Sequence, residues 1–287
     1  MTQAGRFHPV AARPDALLRR MAANLAAFTA LLARPGLASR THAGAAAGSR
    51  AGRLAIGSGL AAAAVAGAML FLDSWVVAHH GSVPIWLVSV FGEITDFGRS
   101  GWFLFPTGIV LLGIAAVASP ALGRLSVLVL TALAVRVCFV FLGVALPSLL
   151  VTIVKRLIGR ARPLRVPGFD VYFAPFSWRA DFASLPSGHA TTAFAAAFAL
   201  GALFPRARAV LWIYAVLIAV SRVILTAHYP SDVIAGAVVG ACGALLVCRF
   251  FAARRLAFTI DRDGSPRAMP GPSLRRIRRV ACRIVGQ

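Results

Sequence analysis

Residues 186–251 read PSGHATTAFAAAFALGALFPRARAVLWIYAVLIAVSRVILTAHYPSDVIAGAVVGACGALLVCRFF. Apolar runs at 189–204, 209–227 and 232–251 are separated by a tight turn, Pro205–Arg208, and by the short polar stretch His228–Ser231. Each run approaches the ~20 residues that a helix needs to cross the hydrocarbon of a bilayer. Connections this short send the chain in, back and in again. Gly236 and Gly240, four residues apart on the last run, permit close helix packing.

Further apolar runs precede this stretch. One covers about 54–72 and stops at Asp73; a second covers about 101–119 and is broken by Pro120 and Gly123; a third lies within 125–154. The third exceeds the length of a span, so its start is open, and Arg136 is read as lying at the membrane boundary rather than buried with a function. Residues 73–100 form an interfacial segment with Trp75 and Trp86, and with Trp102 just past it, near the headgroups. The fold class is an all-α polytopic membrane protein with six transmembrane helices over 54–251, flanked by basic segments at 1–53 and 252–287.

Composition agrees. Hydrophobic residues make up 59% of the 287, charged residues only 14%, and mean hydropathy is +0.79. In the first segment Leu17, Met21, Leu25, Phe28 and Leu32 recur at helical spacing, which predicts a helix on the membrane surface; the linker 34–53 is rich in Gly, Ala and Arg. The tail 252–287 is expected to be poorly ordered. The chain's four cysteines, Cys138, Cys242, Cys248 and Cys282, suggest neither a zinc site nor a disulfide framework.

The net charge of +21 does not indicate a nucleic-acid partner, because no nucleic-acid module is visible. Eight Arg precede Leu54 and nine follow Arg249, the distribution that holds membrane-protein ends in the cytoplasm, near anionic lipid. Six spans put both ends on one side, together with Arg124, Arg206 and Arg208. The loop 155–188 then lies on the other side despite five Arg and the chain's single lysine, Lys155. Those charges need another reason.

Three pieces of sequence meet at that face. Lys155 and Arg162-Pro163 end the third span; Pro186-Ser187-Gly188-His189 opens the fourth; Ser221-Arg222, His228 and Asp232 straddle the turn between the last two. His189 and His228 share a membrane depth, and Arg222 lies roughly 9 Å below His228 at the helical rise. Such a set suits phosphoryl transfer. Lys155, Arg162 and Arg222 can neutralise the equatorial oxygens of pentacoordinate phosphorus, and the backbone N–H groups of Ser187 and Gly188 can cradle another. His228 can act as nucleophile with Asp232 holding its other nitrogen, and His189 can protonate the leaving oxygen. The nine acidic residues are too scattered for a two-metal site, so no metal and no cofactor is expected.

Each group also has a structural reading. Lys155 and Arg162 can snorkel at a helix end, Ser187 can be an N-cap, Asp232 can favour a helix N-terminus, and the histidines can be interfacial. Arg222, inside an apolar span, is the costliest to leave without an anionic partner.

Lys155-x6-Arg162-Pro163, Pro186-Ser187-Gly188-His189 and Ser221-Arg222-x5-His228-x3-Asp232 together resemble the three-part signature of the type 2 phosphatidic acid phosphatase family, which shares its pocket with vanadium haloperoxidases and bacterial acid phosphatases. All three parts match. The resemblance implies a helical catalytic core, a phosphohistidine on His228 oriented by Asp232, His189 as acid, and phosphate binding by Lys155, Arg162, Ser187, Gly188 and Arg222. It also implies a bacterial inner-membrane enzyme whose site faces the periplasm. Its substrate would be a lipid phosphate: phosphatidic acid, phosphatidylglycerol phosphate, undecaprenyl diphosphate or a lipid A phosphate. A lipid phosphotransferase with the same pocket is the alternative. A haloperoxidase has no need of six spans, and a non-enzymatic transporter would be expected to lack a catalytic group.

Overall fold

The computed structural model describes residues 14–36, 45–166, 171–261 and 263–285. Its helices are α1 (Pro14–Ala33), α2 (Ala45–Phe71), α3 (Asp73–Ala78), α4 (Ile85–Asp96), α5 (Gly101–Val117), α6 (Arg124–Ile158), α7 (Gly188–Leu203), α8 (Arg208–Ile224), α9 (Pro230–Ala253) and α10 (Leu274–Val285). A two-stranded antiparallel hairpin, β1 (Phe258–Ile260) and β2 (Pro266–Ala268), lies between α9 and α10.

Helix α7 is the axis of the bundle and packs against α6, α8 and α9. Its sequence explains why: Ala190, Ala193, Ala195, Ala196, Ala197 and Ala199 are all buried, and small side chains let neighbouring backbones come close. The approach to α9 is the tightest. A Cβ on Gly236 would lie 2.4 Å from the Ser187 carbonyl oxygen, and one on Gly240 would lie 2.3 Å from that of Thr191. On α6, Pro147 is matched by Gly243 of α9, where an added Cβ would meet the proline ring at 2.8 Å.

Among the described residues, six helical stretches are long and apolar enough to cross a membrane: Asp15–Ala33, Ala55–Ala78, Ile85–Val117, Arg124–Ile158, Pro205–Ile224 and Pro230–Ala253. The number agrees with the sequence reading, but the membership differs. The run read as a fourth span is the 16-residue α7, about 24 Å long at 1.5 Å per residue, against ~30 Å of hydrocarbon. Enclosed by other helices, it has little need to match the bilayer. By length α1 qualifies in its place. Yet Asn24 Nδ2 donates to the carbonyls of Ala115 and Ala118 at the end of α5, both at 2.8 Å, and Arg254, just past α9, donates to Leu32 O at 2.8 Å. Both anchors lie at one end of the bundle, as a surface helix requires.

Helix α6 has 35 residues, so it is about 52 Å long and overshoots a bilayer. Arg136 divides it. From Arg136 to Ile158 is about 33 Å, one hydrocarbon thickness. The Arg136 guanidinium donates to the Ala132, Met269 and Pro270 carbonyls at 2.8, 3.1 and 3.0 Å, clasping the tail where the helix leaves the bundle.

The tail corrects the expectation of poor order. Phe258 is fully buried against Phe139 and lies in one cluster with Phe251. Helix α10 sets Ile277, Val280 and Ile284 on Leu122, Val129 and Leu130, and exposes Arg275, Arg276, Arg278, Arg279 and Arg283. An amphipathic pattern short of a span found a partner in the overshoot of α6. Part of the linker 34–53 is likewise helical, since α2 begins at Ala45.

Candidate active site

At the other end of the bundle, the C-termini of α6 and α8 meet the N-termini of α7 and α9. Gly159, at φ 65°, stops α6, and an added Cβ there would sit 1.8 Å from Ala174 O, so only glycine lets the returning loop dock. That loop is held by Ala161 N–H to Tyr172 O (2.8 Å), Arg162 N–H to Asp181 O (2.8 Å) and Ser184 N–H to Arg160 O (3.1 Å).

The pair His228 and Asp232 spans the start of α9. His228 Nδ1 lies 3.6 Å from Asp232 Oδ2, and both residues are buried. The same Oδ2 accepts from Ser184 Oγ at 2.5 Å and from the Tyr229 N–H at 3.0 Å, so the carboxylate also caps its helix. Burial holds the His228 imidazole below its ordinary value. Asp232 pulls the other way, and Arg222 and Arg162 add to the depression.

His189, on the first turn of α7, has Arg222, His228, Arg99 and Arg162 as its charged surroundings. Gly98, between α4 and α5, keeps that place open: an added Cβ would meet the His189 ring at 3.0 Å and Ile218 at 2.6 Å. Arg222 is 8% exposed and donates to Thr95 Oγ1 of α4 at 2.7 Å. Arg162 is partly exposed; burial and Arg165 hold its guanidinium below the ordinary value, against Asp181 and Asp232. Lys155 is partly buried, with Arg156 and Arg162 as its charged neighbours. Among the described residues Lys155, Arg162 and Arg222 make no ion pair with a carboxylate.

Ser187 plays a different part from the one read in sequence. Its N–H donates to Asp232 O at 2.9 Å and is not free for an oxyanion. Its hydroxyl is fully buried, makes no cap bond and has no hydrogen-bond partner; the Nε atoms of Arg162 and Arg222 are buried and unpartnered too. Gly188 opens α7, where the first N–H groups have no helical acceptor, and the space beside its Cα is clear. Buried donors without partners are costly, and among the described residues three of them belong to groups that the sequence reading assigned to phosphate; Ser126 Oγ, Arg160 Nε and Arg249 Nε are unpartnered as well.

Four contributors escaped the sequence reading. Thr95 and Ser184 are neutral side chains in unremarkable surroundings. Asp73 looked like a span terminus, and Arg160 like one more loop cation. Yet Arg160 is completely buried and bonded to both Asp73 and Asp232. The hint was a balance: an acid ending an apolar run and a cation inside the motif interval are costly in a membrane unless they meet.

A helical membrane bundle that gathers His189, His228, Asp232, Arg162 and Arg222 at one end has the groups that a membrane phosphatase requires. Residues 136–256 match the model of the PAP2 superfamily, and the chain belongs to that superfamily. It is 40% identical over 206 residues to the Lipid A 1-phosphatase of Rhizobium johnstonii, covering 70% of this chain and 82% of that protein. To the Lipid A 1-phosphatase of Rhizobium etli it is 39% identical over 211 residues, covering 71% and 88%. Among solved structures, Aquifex aeolicus LpxE superposes with a TM-score of 0.43 at 21% identity, covering 61% of this chain and 92% of that one. The PAP2-type phosphatidylglycerolphosphate phosphatase of Bacillus subtilis gives 0.40 at 22%, covering 79% and 94%. The protein is an integral membrane lipid phosphatase, a phosphomonoester hydrolase.

Proposed function

We propose that this phosphatase removes a phosphate from lipid A, and that it does so through a phosphohistidine on His228. The substrate rests on the two Rhizobium relatives, both of which carry the name Lipid A 1-phosphatase. The mechanism rests on one observation: buried His228 has Asp232 on its Nδ1 side, at the end of the bundle that also carries Arg162, Arg222, His189 and the unpartnered hydroxyl of Ser187.

Chemistry follows from those positions. With Nδ1 turned to Asp232, Nε2 is the free ring nitrogen. It attacks phosphorus, the bond from phosphorus to the lipid oxygen breaks, and His189 gives that oxygen a proton. Lys155, Arg162, Arg222, Ser187 Oγ and the Gly188 N–H hold the equatorial oxygens, whose charge grows in the transition state. Water then attacks the phosphohistidine, the P–N bond breaks, His189 takes the proton from water, and inorganic phosphate leaves. In this reading 54–251 forms the catalytic unit between two basic flanks. Its site faces the periplasm, and both ends are cytoplasmic.

The test is phosphate release by purified protein in EDTA, on lipid A, phosphatidic acid, phosphatidylglycerol phosphate and undecaprenyl diphosphate. Lipid A should give the highest kcat/KM, with inorganic phosphate as product. His228→Ala and His228→Asn should both lose several orders of magnitude in kcat, each factor of ten being about 1.4 kcal/mol. A preference for another lipid would overturn the substrate, and an active His228→Ala the mechanism.

A further inference from the structure

Behind the His228–Asp232 pair lies a buried ionic cluster. Arg160 Nη1 donates to Asp232 Oδ1 at 2.6 Å and to Ser231 Oγ at 2.7 Å; Nη2 donates to Asp73 Oδ2 at 2.7 Å. Asp73 also accepts from the Ser231 N–H at 3.1 Å and from Ser231 Oγ at 2.5 Å. The guanidinium lies 4.1 Å from the centre of the Tyr229 ring. Arg160 and Asp232 are 0% exposed and Asp73 is 1% exposed. Asp73, the first residue of α3, lies outside residues 136–256, the part of the chain that matches the superfamily.

We propose that Asp73 and Arg160 are positioning residues for catalysis: they fix the orientation and the net charge of the carboxylate that holds His228. This rests on the reading of His228 as nucleophile and Asp232 as its orienting group.

The reason is a division of the Asp232 carboxylate. Oδ2 faces His228, Ser184 and Tyr229 N–H, while Oδ1 is taken by Arg160. Two directions of bonding leave the carboxylate no rotation. Charge adds a second constraint. Arg160 and Asp232 alone would cancel, leaving little to stabilise a cationic imidazole. With Asp73 the cluster carries one net negative charge, which the phosphorylated His228 ring balances. Without Arg160, two carboxylates would share one buried site, where like charges disfavour ionisation. A buried arginine claimed by two carboxylates is costly to desolvate, and a hydrophobic replacement often stabilises a fold as well or better. Stability alone therefore does not call for this cluster.

Asp73→Asn keeps the size and one of the two acceptor oxygens but removes the charge. Purified variant and parent are compared for kcat, KM and the pH profile of kcat/KM on a lipid phosphate, with thermal unfolding as the control. The groups facing His228 are Asp232 of α9, Arg222 of α8, His189 of α7, and Arg162 and Ser184 of the loop. None is altered. The expected result is a kcat lower by about 10- to 100-fold, by analogy with the loss that follows when the outer partner orienting a metal-bound histidine is removed. KM should stay within a few-fold, and the acid limb should move to lower pH, because the imidazolium loses a favourable charge. Arg160→Lys should recover part of the kcat lost in Arg160→Met. Unchanged kcat and limb in folded Asp73→Asn, or a lowered melting temperature as the sole effect, would overturn the proposal. If His228→Ala kept activity the parent reading would fall instead, so the two failures are distinct.

Discussion

His228 is 3% exposed, and the elements around it bring it one carboxylate and two guanidinium groups. Burial is the largest influence and disfavours the protonated ring, so the folded-state value lies below the ordinary ~6.5 of histidine. The nucleophile is the neutral form. As pH falls from 7, a depressed value keeps the ring neutral longer, so the acid limb of kcat/KM should lie below pH ~6.5. A limb above that value would mean that Asp232 outweighs burial. The linkage has the same sign for stability. Between the folded value and ~6.5 the unfolded chain binds the extra proton, so His228 makes the fold less stable as pH falls through that window. At this scale the sequence singled out residues whose chemistry is costly to leave idle, such as Arg222 and His228, and the fold buries both at one end of the bundle. It was a poor guide for Thr95 and Ser184, whose hydroxyls acquire a role only from what lies 2.7 and 2.5 Å away.

Between elements, the seam of α7 and α9 is set by glycines. Gly240→Ala would bring a Cβ to 2.3 Å from Thr191 O, a backbone atom that cannot swing aside. The helices must part, with an overpacking cost of about 1–3 kcal/mol. Because Ser187 N–H is bonded to Asp232 O across the same seam, activity should fall together with melting temperature. A variant with parental melting temperature and kcat would show that the seam yields without cost. The loop 164–185 makes a different prediction. Arg156 Nη1 pins the Trp178 and Arg179 carbonyls at 2.6 and 2.8 Å, while Trp178 as a residue is 81% exposed. Phe173 and Phe176 are exposed beside it; Phe169 lies outside the described residues. Trp178→Ala thus removes a ring without releasing the backbone. It should change the ratio of kcat/KM toward two lipid phosphates and leave a small soluble phosphate ester little affected. Equal losses on all three substrates would show a collapsed pocket and end the idea that this loop selects the lipid.

For the whole molecule, the catalytic end and the arginine-rich end are opposite poles. Helix α10 turns five arginines outward at the pole of α1 and the start of α6. Positive charge is retained on the cytoplasmic side, so a reporter enzyme fused after Asp181 should read as extracytoplasmic. A cytoplasmic signal in an intact membrane would reverse the orientation. Apolar run lengths and the spacing of Lys155, Arg162, Ser187, His189, Arg222, His228 and Asp232 determined the class of fold and the groups available for chemistry. Both are local properties, written in the hydropathy and the side chains of short segments. What only the tertiary structure decided are relations across the chain. They include α7 as the buried axis of the bundle, the tail folded onto the overshoot of α6, and the Ser187 N–H given to Asp232 rather than left for phosphate. They also include the pairing of Asp73 with Arg160, separated by 87 positions. Hydropathy measures what a segment avoids, namely water. Which partner it meets instead depends on packing and charge balance among distant segments, and no window of sequence contains that.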